Sequence, residues 1–370
     1  MSQGADYDIA IIGAGAAGLS VAYFLSEDAR VVVLEAESQP AYHSSGRSAA
    51  MYIEGYENQV VRRLTQRGKG FFFTPPAGFG DTPLVTQAGG LTVAGPAEEP
   101  KLEKYLNTWQ AHCPELERIS IAQARDIIPI LRTEWLSAAA YDPSWHNIDV
   151  HALLQGYQRG IRQRGGTLIT DFRTDNVERI RNQWHVHCGD KEVSAPILIN
   201  AAGAWSNHVA ELAGIKTLPL TPLRRTAAIV PAPADCGDWP LLHTISENLY
   251  FKPESPGLMV CPQDETPSPA MDAYAHDIDV AQALDTFAQL ADFNVKTVMH
   301  SWAGLRTFAP DRFPVVGFDP QNSGFFWLAG QGGFGIQTSP GLGQLAADLV
   351  RHKSPQDDLS IAAQIAVNRF

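Results

Sequence analysis

Three glycines and one acid carry the clearest chemical signal in the chain. Gly13, Gly15 and Gly18 form a Gly-x-Gly-x-x-Gly turn, and Glu35 follows about 20 residues further on. Together they suit a dinucleotide. Gly13 permits a tight turn, Gly15 lets the backbone approach a pyrophosphate with no Cβ in the way, and Gly18 lets the next helix lie close to a sheet. Ala14, Ala16 and Ala17 belong to the same turn, where the N–H groups of the helix start, helped by the helix dipole, face phosphate oxygens. Glu35, followed by Ala36, falls at the tip of a second strand, where a carboxylate accepts both ribose hydroxyls. An acid at that tip disfavours a ribose 2′-phosphate and therefore NADP. FAD and NAD both remain open on these residues alone.

Other reactive side chains form no comparable group. His185 and His187 alternate along a strand with no third ligand in view, the pattern of a hairpin face and not of a metal site. His43, His146 and His300 stand without a Ser or Cys partner, so no hydrolase triad is expected. Cys113, Cys188, Cys236 and Cys261 are far apart and read as reduced thiols. The chain has 370 residues, 45% hydrophobic and 18% charged, enough for a large core. A formal net charge of −12 disfavours non-specific binding to nucleic acid or to an anionic membrane surface. No apolar run approaches the ~20 residues of a membrane span, and Met1–Asp8 lacks the charge pattern of a signal peptide. A cytoplasmic protein is expected, with a small molecule as its partner.

The elements that must hold these residues follow from periodicity. Ile9–Ile12 and Val31–Leu34 are short, wholly apolar runs that suit buried parallel strands, and Ala17 to Leu25 has helical spacing between them. Ile197–Asn200 is a further buried run, ending in Ala201-Ala202-Gly203-Ala204-Trp205. Near the carboxy terminus the same grammar returns: Phe325–Ala329 reads as a strand, 330–335 as a Gly-rich loop and Ile336–Val350 as a helix. Simple NAD-type Rossmann folds lack that third element. Between 218 and 301 short β-type runs alternate with Pro-rich turns, and the last strand there is expected at Val295–Trp302. The fold class is α/β, with an α+β second part.

Several longer runs carry a family likeness. Tyr42-His43-Ser44-Ser45-Gly46-Arg47-Ser48-Ala49-Ala50, Trp302-Ala303-Gly304-Leu305-Arg306 and Gly332-Gly333-Phe334-Gly335-Ile336-Gln337-Thr338-Ser339, with Asn200–Trp205, resemble the D-amino acid oxidase superfamily of FAD oxidoreductases. The resemblance covers essentially the whole chain and is nearest to bacterial D-arginine/D-amino acid dehydrogenases. It implies non-covalent FAD on a Rossmann-like domain built from 1–50, 145–217 and 302–370. A discontinuous substrate domain on a mixed or antiparallel sheet would come from 51–144 and 218–301. It places the diphosphate on Gly13–Gly18 and the ribose on Glu35, with Val177, Ala201, Ala202, Gly203 and Trp205 nearby. The isoalloxazine would lie among Ser44, Ser45, Arg47, Ser48, Ala49, Ala50, Gly304 and the backbone of Gly332, Gly333, Phe334, Gly335, Ile336 and Gln337. The helix beginning near Ile336 would turn its positive end to the flavin.

The same likeness assigns the substrate site. Arg306 matches the arginine that grips a substrate carboxylate in a planar fork, and Arg225 matches a second, with Arg224 as a surface neighbour. Tyr250 and Tyr56 match tyrosines that close over the substrate. Met51, Ile53, Gly90, Gly333 and Gln337 would line the pocket. Here the chain departs from the D-arginine enzymes, which have a histidine, a threonine and a glutamate where this chain has Met51, Ile53 and Gly90; Glu54 is the nearby acid that could stand in. Neutral or apolar D-amino acids are therefore expected before cationic ones, oxidised by hydride transfer from Cα, with oxygen or a quinone as final acceptor. The alternatives are a glycine or sarcosine oxidase-like enzyme, a 2-hydroxy acid dehydrogenase, or a non-catalytic flavoprotein subunit.

Overall fold

Alternate residues of the first strand, Ile9–Ile12, go to opposite faces, and both faces are buried. Ile9 and Ile11 join a core with the helices, whereas Ala10 and Ile12 join a second core on the other side. Val31–Leu34 divides the same way. This is what a wholly apolar run requires: only a strand covered on both sides buries it all. In the computed structural model, which describes residues 6–353 and 359–370, these strands lie in a six-stranded sheet. Its order is Val315–Phe318, Phe325–Ala329, Ile197–Asn200, Ile9–Ile12, Val31–Leu34 and Thr167–Ile169. All neighbours are parallel except the first two. Three helices, Ala16–Leu25, Val150–Gln163 and Gly335–Val350, cover one face. A three-stranded antiparallel sheet, 176–195, packs over the other.

A nine-stranded mixed sheet forms the rest of the site's frame. Thr221–Val230 is its long strand, paired antiparallel with His300–Phe308 on one side and with Gly257–Cys261 and Thr266–Pro267 on the other. Tyr250–Glu254 and Leu241–Thr244 continue it towards Gly90–Ala94. The strand expected at Val295–Trp302 instead runs His300–Phe308. The long partner strand decides this, because its register extends pairing from Ile229↔His300 to Thr221↔Phe308, carrying Gly304 and Arg306 into the ladder. The reading of Met1–Asp8 falls mostly on residues outside those described. No helix among the described residues is long and apolar enough to cross a membrane.

Close approach at the glycine turn is a steric necessity. A Cβ on Gly18 would sit 1.8 Å from the Gly13 carbonyl oxygen, and one on Gly13, whose φ is +103°, would sit 2.5 Å from the Ala201 oxygen. Gly18→Ala should therefore push the 16–25 helix off the sheet and lower unfolding free energy by about 1–3 kcal/mol, measured by urea denaturation. Unchanged stability would show that the turn tolerates a side chain.

Candidate active site

The start of the first helix at Ala16, the 41–50 loop and the Gly335–Val350 helix meet at one cavity. Glu35 sits at the tip of its strand with both oxygens engaged by backbone: Oε2 accepts from Ala14 N–H at 2.8 Å and Oε1 from Glu37 N–H at 3.0 Å. Ser45 ties the 41–50 loop to the start of the first helix, its Oγ accepting from Ala16 N–H at 3.0 Å. The N-cap there, Gly15, brings no side chain of its own to the helix start, the kind of position at which a diphosphate binds. Ala201 and Ala202 close its far side against Gly13. Val177 packs with Ile12, Val32, Leu34 and Phe172 in the core beneath the strand tips. Trp205 lies against His43, ring centres 4.5 Å apart. The residues present fit FAD.

Ser44, Ser45, Arg47, Ser48, Ala49 and Ala50 line the cavity, as do 332–337 and Gly304, which lies against Ser44 and Arg47. Two of these side chains have other duties. The Arg47 guanidinium is turned away to Asp272 at 2.5 Å and to the Ala273 and Ala303 carbonyls at 2.7 and 3.0 Å, so it fastens the neighbouring loop. Gln337 clamps the Ile53 backbone: its Oε1 accepts from Ile53 N–H at 3.3 Å, and its Nε2 donates to Ile53 O and to Thr65. Gly332 has φ +53° and lies on the Phe308 ring, which leaves no space for a Cβ.

Arg225 and Arg306 reach the cavity together because the strand register makes them diagonal neighbours: Leu223 pairs with Arg306 and Arg225 with Gly304. Arg306 also lies flat on Gly333, where any Cβ would fall inside the guanidinium group. Its Nη2 donates to Tyr56 Oη at 3.4 Å. Tyr250 lines the same space and shares a hydrogen bond with the Cys261 thiol; burial, then the neighbouring Cys261, hold its pKa well above the usual tyrosine value. Arg224 is not a surface residue. Strand alternation sends it to the other face, where it is buried and donates to Asp279 at 2.6 Å.

The apolar end of the cavity differs from expectation at Gly90. Gly90 does not line it; the Trp145 indole does, packed so close that a Cβ on Gly90 would lie 2.2 Å away. No acid could be built there without expelling the tryptophan. Trp145 groups with Met51, Ile53 and Leu241 in an apolar cluster. Glu54 is no substitute, because its carboxylate is bound by Lys69, Gln66 and Tyr52 and it does not line the cavity. Tyr105 and His243 complete this end. His243 stacks on Trp145 and bonds to Thr92 Oγ1 at 2.8 Å, and burial lowers its pKa to about 4. Trp145, Leu241, Tyr105 and His243 have no sequence signal that marks them; sheet pairing brings Leu241 and His243 here, the turn after Ala138–Asp142 brings Trp145, and the Glu99–Trp109 helix brings Tyr105. His185 and His187 pair with Glu192 and Glu178 across a hairpin, and no metal-holding group occurs among the described residues.

A family model described as FAD dependent oxidoreductase matches residues 8–349. Rat mitochondrial dimethylglycine dehydrogenase (Rattus norvegicus) is 24% identical over 94% of this chain, which spans only 43% of that protein. FAD-dependent oxidoreductase domain-containing protein 1 of Mus musculus is 27% identical, covering 93% of this chain and 81% of its own length. The crystal structure of glycine oxidase from Geobacillus kaustophilus superposes with a TM-score of 0.86 at 20% identity, over 98% of this chain and 99% of the other, a likeness of fold.

One pH effect follows from His243. Its folded pKa, about 4, lies below the ordinary value of 6.5, so the unfolded chain takes up its proton first. The neutral ring's contribution is complete above pH 6.5 and is lost as pH falls towards 4. Allowing for the ring's access to the cavity, the loss is about 1–3 kcal/mol. Urea unfolding at pH 7 and pH 4.5 measures it, and His243→Gln should flatten that interval. An equal slope in the variant would assign the pH dependence elsewhere.

Proposed function

The chain belongs to the family of FAD-dependent oxidoreductases, and from that premise we propose that it is a D-amino acid dehydrogenase or oxidase that prefers neutral, apolar substrates. One observation carries the reading: two arginines line a cavity whose substrate end is apolar and aromatic, with no carboxylate among its lining residues. Arg306 and Arg225 are suited to a substrate carboxylate, because a guanidinium binds it through paired N–H donors. The wall of Met51, Ile53, Trp145 and Leu241 then receives the side chain. A cationic side chain would lose its water there with no partner to replace it.

The protein's part in the reaction is positioning. The arginine grip fixes the substrate's orientation, Tyr56 and Tyr250 border the same space, and Tyr250 stays neutral at working pH. When bound, FAD supplies the acceptor for the hydride leaving Cα. No lining side chain has the character of a strong base, so the substrate amine must arrive uncharged. The imino acid product is hydrolysed by water to a 2-oxo acid and ammonia. The D configuration rests on the motif likeness of 42–50 and 332–339. A second reading, oxidation of N-methyl amino acids or glycine, takes support from the names of the dimethylglycine dehydrogenase and glycine oxidase relatives.

Anaerobic bleaching of the flavin by panels of D- and L-amino acids, N-methylglycines and 2-hydroxy acids separates these readings. Neutral D-amino acids should bleach fastest; selective bleaching by sarcosine or dimethylglycine would favour the second reading. Bleaching by no amine would point to a structural flavin. Arg306→Met should raise KM by about 100-fold, the loss of one charge-assisted pair, with FAD retained. An unchanged KM would remove Arg306 from the site.

A further inference from the structure

Behind the two cavity arginines stands a charge network that does not itself line the cavity. Glu265, in the loop after Gly257–Cys261, receives Arg306 Nη1 at 3.2 Å and Arg225 Nη2 at 3.3 Å on the same oxygen, Oε1. Arg312 grips both oxygens, Nη2 to Oε1 and Nη1 to Oε2, each at 3.0 Å. Arg312 Nε in turn donates to Glu57, the residue next to Tyr56, and Tyr56 Oη accepts from Arg306. The loop is anchored to the long strand: Arg225 Nε donates to Asp264 O at 2.8 Å, and the Asp264 carboxylate accepts from Thr226 N–H at 2.7 Å.

We propose that Glu265 determines the charge specificity of the site, holding Arg306 and Arg225 from behind and leaving the cluster one net positive charge, enough for one carboxylate. Among the side chains ion-paired with Glu265 and its partners, Arg225, Arg306 and Arg312 bring three positive charges, and Glu265 and Glu57 two negative ones. The Asp264 carboxylate is turned to Thr226 and to Arg224 on the strand's other face, where Arg224 also pairs with Asp279. A monocarboxylate completes the balance. A dianion brings a charge that nothing in the network matches, and at separations of a few ångströms in a partly buried site such an imbalance is costly. Glu265 keeps its charge: burial raises its pKa, but the three arginines together bring it below the ordinary glutamate value. Glu265 acts through the arginines and is a positioning residue. This inference rests on the assignment of those arginines to the substrate carboxylate.

The test uses an isosteric pair of probes, malonate and its monoamide malonamate, which differ by one charge. Their binding to the FAD-loaded protein is measured by titration calorimetry at low ionic strength, where surface screening is least. Wild type should bind malonamate at least as tightly as malonate. Glu265→Gln keeps an acceptor oxygen for the arginines and removes the charge, so the affinity ratio should move about tenfold towards malonate. Glu265→Ala should move it the same way, even where disorder of the arginines weakens both probes. An unchanged ratio in a variant that still binds either probe overturns the proposal, as does equal weakening of both. If neither probe binds wild type while D-amino acids bleach the flavin, this inference fails alone. If the ratio shifts but no amine bleaches the flavin, it stands and the functional reading fails.

Discussion

A guanidinium group buried at the edge of an apolar cavity must be compensated, and much of this site is built around meeting that demand twice. Arg306 and Arg225 face a space walled by Met51, Ile53, Trp145 and Leu241. Unpaired, each would be expensive to desolvate. Glu265 supplies part of the compensation from outside the cavity, and a bound carboxylate would supply the rest. The geometry that allows this is set by the ladder between Thr221–Val230 and His300–Phe308, which makes the arginines diagonal neighbours. Gly333 matters for the same reason, since only a residue without a Cβ leaves the Arg306 guanidinium its place.

The cofactor half obeys a different constraint, steric instead of electrostatic. The strand, turn and helix at 9–25 come together only because Gly13 and Gly18 carry no side chain, and Ala201 presses on the turn from the neighbouring strand. The 41–50 loop joins the halves: Ser45 binds the first helix, Ser44 donates to Leu305 O at 2.5 Å, and Trp302 donates to Arg47 O at 3.0 Å. Cofactor cradle and arginine strand are thus held in one register by a few hydrogen bonds from a single loop.

What could be read in the sequence was local or motif-borne. The apolar runs at 9–12, 31–34, 197–200 and 325–329 identify themselves by period and length. Arg225, Arg306, Tyr56 and Tyr250 were named from the family likeness, and they do line one cavity. The likeness points to Arg225 over Arg224, but the surface position expected for Arg224 fails on the strand's phase, since alternation buries it on Asp279. Gly90 misled because its environment comes from elsewhere in the chain: Gly90 pairs with Asp142, and the turn after that strand delivers Trp145 onto it. Glu265 was invisible for a similar reason. A glutamate in a loop is unremarkable until 225, 306 and 312 are seen around it.

On the reading proposed above, the site joins an arginine-held carboxylate to a neutral, apolar side-chain pocket. Anaerobic stopped-flow reduction with D-norleucine and D-lysine tests it most directly, because the two share an aliphatic stem and differ in the cationic head. We expect D-norleucine to give the larger ratio of reduction rate to dissociation constant, by about two orders of magnitude, from the desolvation of an unpaired ammonium. Equal ratios, or a preference for D-lysine, would contradict the account.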